Sequence, residues 1–539
     1  MEEQTAIRVE LISDADWERT PTSIKQLVKG LLERIGHLEQ QIEELRRENQ
    51  RIIAENEQLR IENQQLRIEN EQLRIENQHL QEQLNRNSSN SSQPPSQDAP
   101  RSFKPKPKEK SGKARGGQPG HEGHCRKLYP PEQCQRIEEH YPATCWRCGS
   151  TLSGEDPVPQ RCQIVELPPL VPIVTEHRFH ALDCACCGER TRAFEAEIVN
   201  GSGYGERLTA LVGLLSGEYR HSHGMVERLL KEVFAVEISV GSINHLRQEM
   251  SEAVAEPVIE AQIYVQSQPI VGSDETSFRQ GNADRQNPTG KRAWLWVVVT
   301  PLVCYFQVWL SRSQAVAKTM LGEAFSGIVI SDRYGAYNWL AVNQRQVCWA
   351  HLKRDFTQMA ERPGVSGDLG KALLEQEKQL FECWYQVRDG TLTWTEFMAA
   401  VAPIPAQIHA LLQQGAAYDI SDNEKTPLAK TVRTCRKLLK LEPALWLFVH
   451  TEGVEPTNND SERALRPVVL WRHSSLGSQS AAGSLFVGRM LTVVTTLRLQ
   501  GRNVLDYLTE ACRAKRQGTP APSLLPNTTM ALNLLPPVA

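Results

Sequence analysis

The chain has 539 residues, a formal net charge of −3 and 40% hydrophobic residues, which is too long for one hydrophobic core and predicts several domains. No apolar run approaches the length of a membrane span, and Met1-Glu2-Glu3-Gln4 lacks the basic-then-apolar pattern of an export signal. A cytoplasmic location without a membrane partner is therefore expected. In that reducing compartment, the 13 cysteines favour metal ligation or free thiols over disulfides.

After an N-terminal tail (1–21), a seven-residue repeat of aliphatic residues extends over residues 22–86. The repeated position, taken as d, is occupied by Leu31, Leu38, Leu45, Ile52, Leu59, Leu66, Leu73 and Leu80. Such a repeat predicts a left-handed coiled coil, and hence a homo-oligomer. Asparagines at five consecutive a positions, from Asn49 to Asn77, weaken that packing, and Ile61, Ile68 and Ile75 fall on the far side of the helix. A solvated single helix is the alternative.

Residues 87–120 have the composition of a disordered, basic linker. Between positions 101 and 115 there are seven basic side chains and one acidic side chain. The basic residues that we expect to contact DNA are Lys104, Lys106, Lys108, Lys110, Lys113 and Arg115. Such a run releases counterions from a phosphate backbone. A soluble spacer without affinity for DNA is the alternative.

Two Cys-x-x-Cys-Gly motifs lie in residues 121–200. They contain Cys145 with Cys148, and Cys184 with Cys187. Two pairs of thiolates predict a structural, tetrahedral zinc site, and the glycines permit the tight turns. The 35 residues between the pairs require a small β insertion, and Cys186 is an additional thiol. Unmetallated thiols are the alternative.

Residues 201–260 have helix-period apolar positions and predict a helical bridge. A helix, a short turn and a second helix that begins near Ser239 have the outline of a helix-turn-helix. Reading of DNA by this element and plain packing are both compatible with the pattern.

Three acidic residues define the candidate catalytic region. The first part of the core (261–354) has predicted strands at 270–277, 293–300, 303–310 and 327–331, with Asp274 on the first strand and Asp332 just beyond the fourth. An α-helical insertion (355–455) follows, and Glu462 lies at the start of a capped helix in the second part of the core (456–516). Residues 517–539 are a predicted flexible tail. Three carboxylates delivered this way predict a site for two divalent cations that act on a phosphodiester.

Several basic or polar residues are placed to support that site. His351 follows the strand of Asp332 and either contacts the scissile phosphate or is structural. Arg463 and Arg466 lie within a turn of Glu462 and add positive charge for DNA ends. Cys348 and His351 alone are too few ligands for zinc.

These motifs together resemble those of transposases of the insertion sequence 66 family. The resemblance rests on Asn-Ser-Ser-Asn-Ser-Ser-Gln-Pro-Pro-Ser at 87–96, Gly-Gly-Gln-Pro-Gly-His at 116–121, the paired cysteines, Ser-Asp-Arg-Tyr-Gly-Ala-Tyr at 331–337, Cys-Trp-Ala-His-Leu-Lys-Arg-Asp-Phe at 348–356, and Pro-Thr-Asn-Asn-Asp-Ser-Glu-Arg-Ala-Leu-Arg at 456–466. It implies an RNase H-like core with the acidic triad Asp274, Asp332 and Glu462. Two Mg²⁺ (or Mn²⁺) ions would bind there, roughly 3.5–4 Å apart.

The resemblance implies cleavage at element ends and strand transfer into target DNA, in the bacterial cytoplasm at the nucleoid, with possible help from accessory proteins of the same element. The expected fold class is multidomain α/β: coiled coil, zinc module, helical bridge and an RNase H-like core with a helical insertion. A nuclease that cleaves without joining uses the same metal site, and a non-catalytic DNA-binding assembly protein would need no triad.

Overall fold

A computed structural model describes residues 13–84, 91–92, 126–195, 198, 201–475 and 477–526. The chain divides into two units, Met1–Asn87 and Ser88–Ala539, and each is considered by itself. The basic side chains predicted to contact DNA, from Lys104 to Arg115, lie outside the described residues.

The described residues of the first unit, 13–84, form one short helix and one long helix. A short helix α1 (Asp14–Arg19) begins where the hydroxyl of Ser13 accepts the N–H of Asp16, so the predicted tail contains a helix of its own. Helix α2 (Thr22–Leu84) then continues for 63 residues, which confirms the helical prediction. The aliphatic residues at the heptad d position are between 46% and 61% exposed. An exposed apolar stripe of this length is what a coiled-coil partner would cover; the pairing itself stays a prediction.

The second unit begins with a largely exposed segment, 126–195, in which no residue is buried. It contains a 3₁₀ turn (Pro131–Gln133) and a hairpin of β1 (Ala181–Asp183) and β2 (Arg190–Arg192), which pair antiparallel. A segment without a core does not hold its fold by hydrophobic burial.

Four helices follow: α3 (Glu206–Gly217), α4 (His223–Phe234), α5 (Val240–Ala253) and α6 (Ala255–Ser267). The predicted cap is confirmed, because the hydroxyl of Ser239 accepts the N–H of Ser242 at the start of α5. Buried Leu230 on α4 and Leu246 on α5 share one hydrophobic cluster. The helix-turn-helix outline is therefore present, and its use for DNA stays a prediction.

A five-stranded mixed sheet forms the centre of the unit. Its elements are β3 (Ile270–Phe278), β4 (Ala293–Val299), β5 (Cys304–Trp309), helix α7 (Gln314–Leu321), β6 (Ile328–Ser331) and β7 (Arg345–Val347). The spatial order is β5-β4-β3-β6-β7, with antiparallel pairing among the first three strands and parallel pairing of β3 with β6 and of β6 with β7. Four of the strands were predicted, and β7 was not. Two 3₁₀ turns, Gly335–Tyr337 and Val342–Gln344, connect β6 to β7.

The region after β7 is helical, as predicted. It comprises α8 (Trp349–Ala360), α9 (Val365–Arg388), α10 (Trp394–Val401), α11 (Pro403–Ala416), α12 (Pro427–Lys440), a 3₁₀ turn (Glu442–Leu445) and α13 (Leu447–His450). Its aromatic core includes Trp349, Trp384 and Phe448 and continues to Ile330 and Val347 of the sheet. This core fixes the start of α8 beside the ends of β6 and β7.

The last elements are α14 (Asn459–Ser474), α15 (Ala481–Leu499) and α16 (Val504–Gln517). Pro467 lies inside the first of them, and α14 continues for seven residues beyond it. Helix α15 is the one described helix that is long and apolar enough to cross a membrane, yet 61% of it is buried inside the protein. That burial is typical of a core helix.

Candidate active site

Asp274 and Asp332 lie on neighbouring parallel strands. The register pairs Gly272 of β3 with Ile330 of β6, and each aspartate comes two residues further along its chain. Because parallel strands advance together, the two aspartates reach the same level of the sheet. Asp332 follows a strand, as predicted, whereas Asp274 lies in the middle of the nine-residue β3 rather than at its end.

Side-chain alternation places Asp274 on the sheet face that α14 covers. Asp274 stands opposite Val297 of β4, and Val297 packs with Leu465 and Val468 of α14. A β-carbon at Gly272 would lie 2.5 Å from the hydroxyl of Ser461 and 3.0 Å from the amide oxygen of Asn458. Only glycine therefore permits the first turn of α14 to approach β3 so closely.

Glu462 lies in that first turn and is held by residues of α8. Nη2 of Arg354 is 3.3 Å from Oε1 of Glu462, and Nδ1 of His351 is 3.7 Å from the same oxygen. All three side chains are between 25% and 35% exposed, so these contacts are only partly accessible to bulk water. The structure thus brings His351 close to Glu462.

The residue beside Asp274 belongs to a separate, buried network. Glu275 points to the other sheet face, where its carboxylate is fully buried and lies 2.5 Å from Nη2 of Arg312. The hydroxyl of Tyr337 donates to Oε2 of Glu275 over 2.9 Å. The guanidinium of Arg312 stacks on the ring of Tyr334, 3.7 Å from its centroid, and the backbone N–H of Tyr334 donates to Oδ1 of Asp332 over 2.9 Å. This chain of contacts ties β3 to the loop that carries Asp332.

Burial and neighbouring negative charges raise the pKa of Asp274 and of Glu462. Burial, together with the negative charges of Glu275, Asp332 and Glu462, raises the pKa of the Asp274 carboxyl well above its usual value. Burial and the charge of Asp332 also raise the pKa of Glu462, while Arg354 opposes the rise. A bound cation would reduce the electrostatic repulsion between these carboxylates.

His351 is neutral at physiological pH. Burial and the positive charge of Arg354 lower the pKa of its imidazole to about 4. Its Nδ1 is buried without a hydrogen-bond partner among the described residues. The ring can therefore accept a proton, a hydrogen bond or a metal ion at that nitrogen.

One cleft of about 460 Å³ opens beside these residues. Asp332 and His351 line it, and its basic lining residues are Arg312, Arg333, Arg354 and Lys437. Three of these cations are paired: Arg312 with Glu275, Arg354 with Glu462, and Arg333 with Asp355 at 2.5 Å. The cleft thus places several fixed cations around one member of the acidic triad.

Two of the predicted supporting residues, Arg463 and Arg466, are exposed on α14, and their contact with DNA ends stays a prediction. Arg463 pairs with Asp460 at 2.9 Å and is 76% exposed, and Arg466 is exposed as well. Neither is a partner of Glu462, and Arg354 of α8 holds that role instead. Sequence spacing pointed to the two arginines because they share a helix with Glu462, whereas Arg354 reaches it from 108 residues away.

The two cysteine motifs have the same local geometry. The N–H of Gly149 donates to the carbonyl of Cys145 over 2.9 Å and that of Gly188 to the carbonyl of Cys184 over 2.8 Å, and the two glycines have φ of +75° and +74°. Hydrogen bonding by Ser150, and then by Cys145, lowers the pKa of Cys148 to about 7. Hydrogen bonds from the backbone of Cys187 and Cys186 lower the pKa of Cys184. Each motif is thus a turn that favours thiolates.

Close sets of metal-ligating atoms are rare in the described part of the chain. One set of three has all its donor atoms within 4.8 Å of one another: Cys348, His351 and Glu462. Neither the acidic triad nor the four predicted zinc cysteines form such a set among the described residues. At least one pair of triad carboxylates is therefore farther apart than this distance, although the charges of Asp332 and Glu462 help to raise the pKa of Asp274.

Two neighbouring strands of the mixed sheet and the first turn of a helix each carry an acidic side chain. Carboxylates arranged in this way are of the kind that binds divalent cations. The profile of the Transposase IS66 family matches residues 204–485, more than half of the chain, and the protein belongs to this family. A second profile, a family of unknown function (DUF6444), matches residues 45–127.

Two relatives from Sinorhizobium fredii are similar to the chain, and both are described as uncharacterized proteins. The protein y4qI is 26% identical over 256 residues, which are 43% of this chain and 45% of the relative. The protein y4hP is 26% identical over 419 residues, 69% of this chain and 71% of the relative. The chain thus spans less than half the length of the first and about seven tenths of the second.

Proposed function

We propose that the protein is a DNA transposase whose acidic triad Asp274, Asp332 and Glu462 binds divalent cations, cleaves the ends of a mobile element and joins them to target DNA. The observation that supports the proposal is the placement of the three carboxylates on β3, just after β6 and in the first turn of α14, where the charges of Asp332 and Glu462 help to raise the pKa of Asp274. Membership of the Transposase IS66 family supports the same reading. The sheet, with three antiparallel strands followed by two parallel strands, supports an RNase H-like core.

The residues fit a pair of Mg²⁺ or Mn²⁺ ions. The donors are carboxylate oxygens, which hard divalent cations prefer. Burial and neighbouring negative charge raise the pKa of Asp274 and of Glu462. A triad that is not gathered within 4.8 Å suits two ions better than one, because flanking ligands of an ion pair roughly 3.5–4 Å apart are themselves well separated.

Bound cations would supply activation of the attacking water or 3′-hydroxyl and stabilisation of the departing 3′ oxygen. The protein supplies the rest. Asn458 and Gly272 hold the start of α14 on β3, and Arg354 orients Glu462. Neutral His351 at the cleft wall offers a nitrogen to the scissile phosphate or to a proton in transit. The cations of the cleft attract the DNA backbone.

The other segments serve DNA binding and assembly in this proposal. Helix α2 pairs with other copies through its exposed heptad stripe, and the basic linker and the α4–α5 pair contact DNA. Cys145, Cys148, Cys184 and Cys187 hold a structural zinc ion, since their turns favour thiolates and the surrounding segment has no core to fold around. Accessory proteins of the same element remain possible partners, and the site of action is bacterial DNA in the cytoplasm.

The experiment is an end-joining assay with purified protein. A labelled duplex carrying the DNA that flanks the gene is incubated with supercoiled plasmid and Mg²⁺, and products are separated under denaturing conditions. A transposase yields labelled plasmid, a nuclease yields only shortened duplex, and a non-catalytic assembly protein yields neither. Either of the last two results, obtained with the accessory proteins of the element present, would contradict the proposal.

A further inference from the structure

We propose that Cys348, His351 and Glu462 form a binding site for one thiophilic divalent metal ion of the zinc type, distinct from the magnesium ions of the proposed function. The sequence alone indicated only two of these ligands, Cys348 and His351. Glu462 becomes the third ligand because α14 docks beside α8.

The three donors converge from two helix starts. Cys348 precedes α8 and His351 lies in its first turn, so a spacing of three residues directs both side chains to one side of the helix. Glu462 approaches from the first turn of α14. All three donor atoms lie within 4.8 Å of one another. Ligands of a tetrahedral zinc ion are roughly 3.4–3.8 Å apart, as bond lengths of about 2.0–2.3 Å require, so small side-chain rotations close the site.

The donor chemistry selects the ion. One sulfur, one nitrogen and one oxygen suit Zn²⁺ and similar transition metals, whereas Mg²⁺ demands an octahedral shell of oxygens. Three protein ligands also leave a fourth position open to water.

Two atoms at this site, Nδ1 of His351 and the sulfur of Cys348, have lone pairs that could bind a metal ion. Nδ1 of His351 is buried and has no hydrogen-bond partner among the described residues, although Glu462 lies nearby at 3.7 Å. Cys348 is fully buried, and its sulfur accepts the backbone N–H of Asn458 over 3.2 Å. A metal ion would satisfy the imidazole nitrogen and hold Glu462 without displacing that N–H contact.

If the proposed function is correct, a metal ion bound at this site would affect the acidic triad. Glu462 cannot serve a zinc-type ion and the magnesium pair with the same oxygens, so the site would withdraw one carboxylate from the triad. Metal binding itself requires neither DNA nor catalysis. It can therefore be tested independently of transposition.

The test is a cobalt titration of the full-length protein, after dialysis against a chelator and addition of one equivalent of zinc per chain for the four-cysteine site. Co²⁺ is added in the presence of millimolar Mg²⁺, and thiolate-to-cobalt absorption and bound metal per chain are measured. The wild-type protein should bind one more equivalent than Cys348→Ser, with absorption typical of a single thiolate. His351→Gln and Glu462→Gln should each bind that equivalent at least tenfold more weakly. Cys383→Ser, which removes a half-buried thiol of α9, should behave as wild type.

Circular dichroism shows which variants are folded, and a variant that fails to fold leaves the other two to decide. The inference is overturned if the folded variants bind the same number of cobalt equivalents as wild type with equal affinity, or if millimolar Mg²⁺ displaces the ion. Failure of the joining assay would leave this result untouched, so the two proposals fail separately.

Discussion

The side-chain amide of Asn458 donates a hydrogen bond to the backbone carbonyl of Ser273 over 2.9 Å. This bond links the residue before α14 to the residue before Asp274, across 185 positions of sequence. A capped start was predicted for this helix, yet the side chain of Asn458 makes no capping bond. The side chain of Asn458 instead links the start of α14 to β3, and so sets the position of Glu462 relative to Asp274.

Asn458→Ala should therefore allow Glu462 to move away from Asp274. The side chain is buried, and its loss leaves the carbonyl of Ser273 without this donor, at a cost of roughly 1–3 kcal/mol of unfolding free energy. Cleavage should fall at least tenfold because Glu462 is no longer held at the sheet. Thermal denaturation and the single-turnover cleavage rate measure the two effects. Exposed Asn459→Ala is the control, and equal behaviour of the two variants would contradict this role.

Glu275→Gln tests the network behind β3. The substitution retains an oxygen for Tyr337 but removes the charge that pairs with Arg312, which is 29% exposed. Loss of a charged hydrogen bond should lower the unfolding free energy by roughly 1–3 kcal/mol, and a looser Tyr334 loop should slow cleavage. Denaturant unfolding and cleavage are compared with Glu323→Gln, an exposed acid of the same core. A variant as stable and as active as the control would show that the network does not position the site.

Stability without divalent metal should decrease as pH rises. The folded protein has a raised pKa at Asp274 and at Glu462, whereas both carboxyls titrate near 4 when unfolded. Between the unfolded and the folded pKa the native state binds more protons, so stability is greatest at the acid end of that window and falls across it. Asp274→Asn should lessen the fall and raise the melting temperature near neutral pH.

The measurement is the melting temperature of metal-free wild type and Asp274→Asn at several pH values from 5 to 8. A gain of about 1 kcal/mol corresponds to roughly 2–4 °C for a domain of this size. A variant that is less stable than wild type at pH 8, or a difference that does not change with pH, would contradict the assigned electrostatics.

The cysteine turns predict one structural zinc ion. Cys184→Ser should remove one equivalent of tightly bound zinc per chain and increase proteolysis within 126–195, because that segment has no buried residue to stabilise it. Cys186→Ser, which alters the neighbouring thiol, should retain the metal. Zinc analysis after gel filtration and limited trypsin digestion provide the readouts. Equal zinc in the two variants would reject the assignment of ligands.

The sequence predicted the central strands well because their apolar runs are long. It did not predict β7, where Arg345 and Gln346 interrupt the apolar pattern although both are buried. The amide oxygen of Gln346 accepts the N–H of Phe448, and its amide nitrogen donates to the carbonyl of Leu445, about 100 residues further on. Such polar pairing depends on tertiary structure, and hydrophobic periodicity cannot indicate it.

The same distinction applies to the site. The three acids were recognisable because each stands on a strand, at a strand end or at a helix start. His351 was also singled out, but its contact with Glu462 was not, and Arg354 was missed altogether, since both reach Glu462 only after α8 and α14 pack together. Neighbours along one helix, such as Arg463, were favoured by spacing alone and are directed to solvent.

The most direct test of the central claim is Mg²⁺-dependent cleavage of end DNA by single neutral variants. Asp274→Asn, Asp332→Asn and Glu462→Gln are compared with Asp460→Asn, an exposed acid on the same turn as Glu462, while DNA binding is measured in parallel. The three carboxylates act as one metal site in this account, so each triad variant should lose cleavage by at least a hundredfold and still bind DNA, and Asp460→Asn should cleave as wild type does. Full cleavage by any folded triad variant would contradict the account.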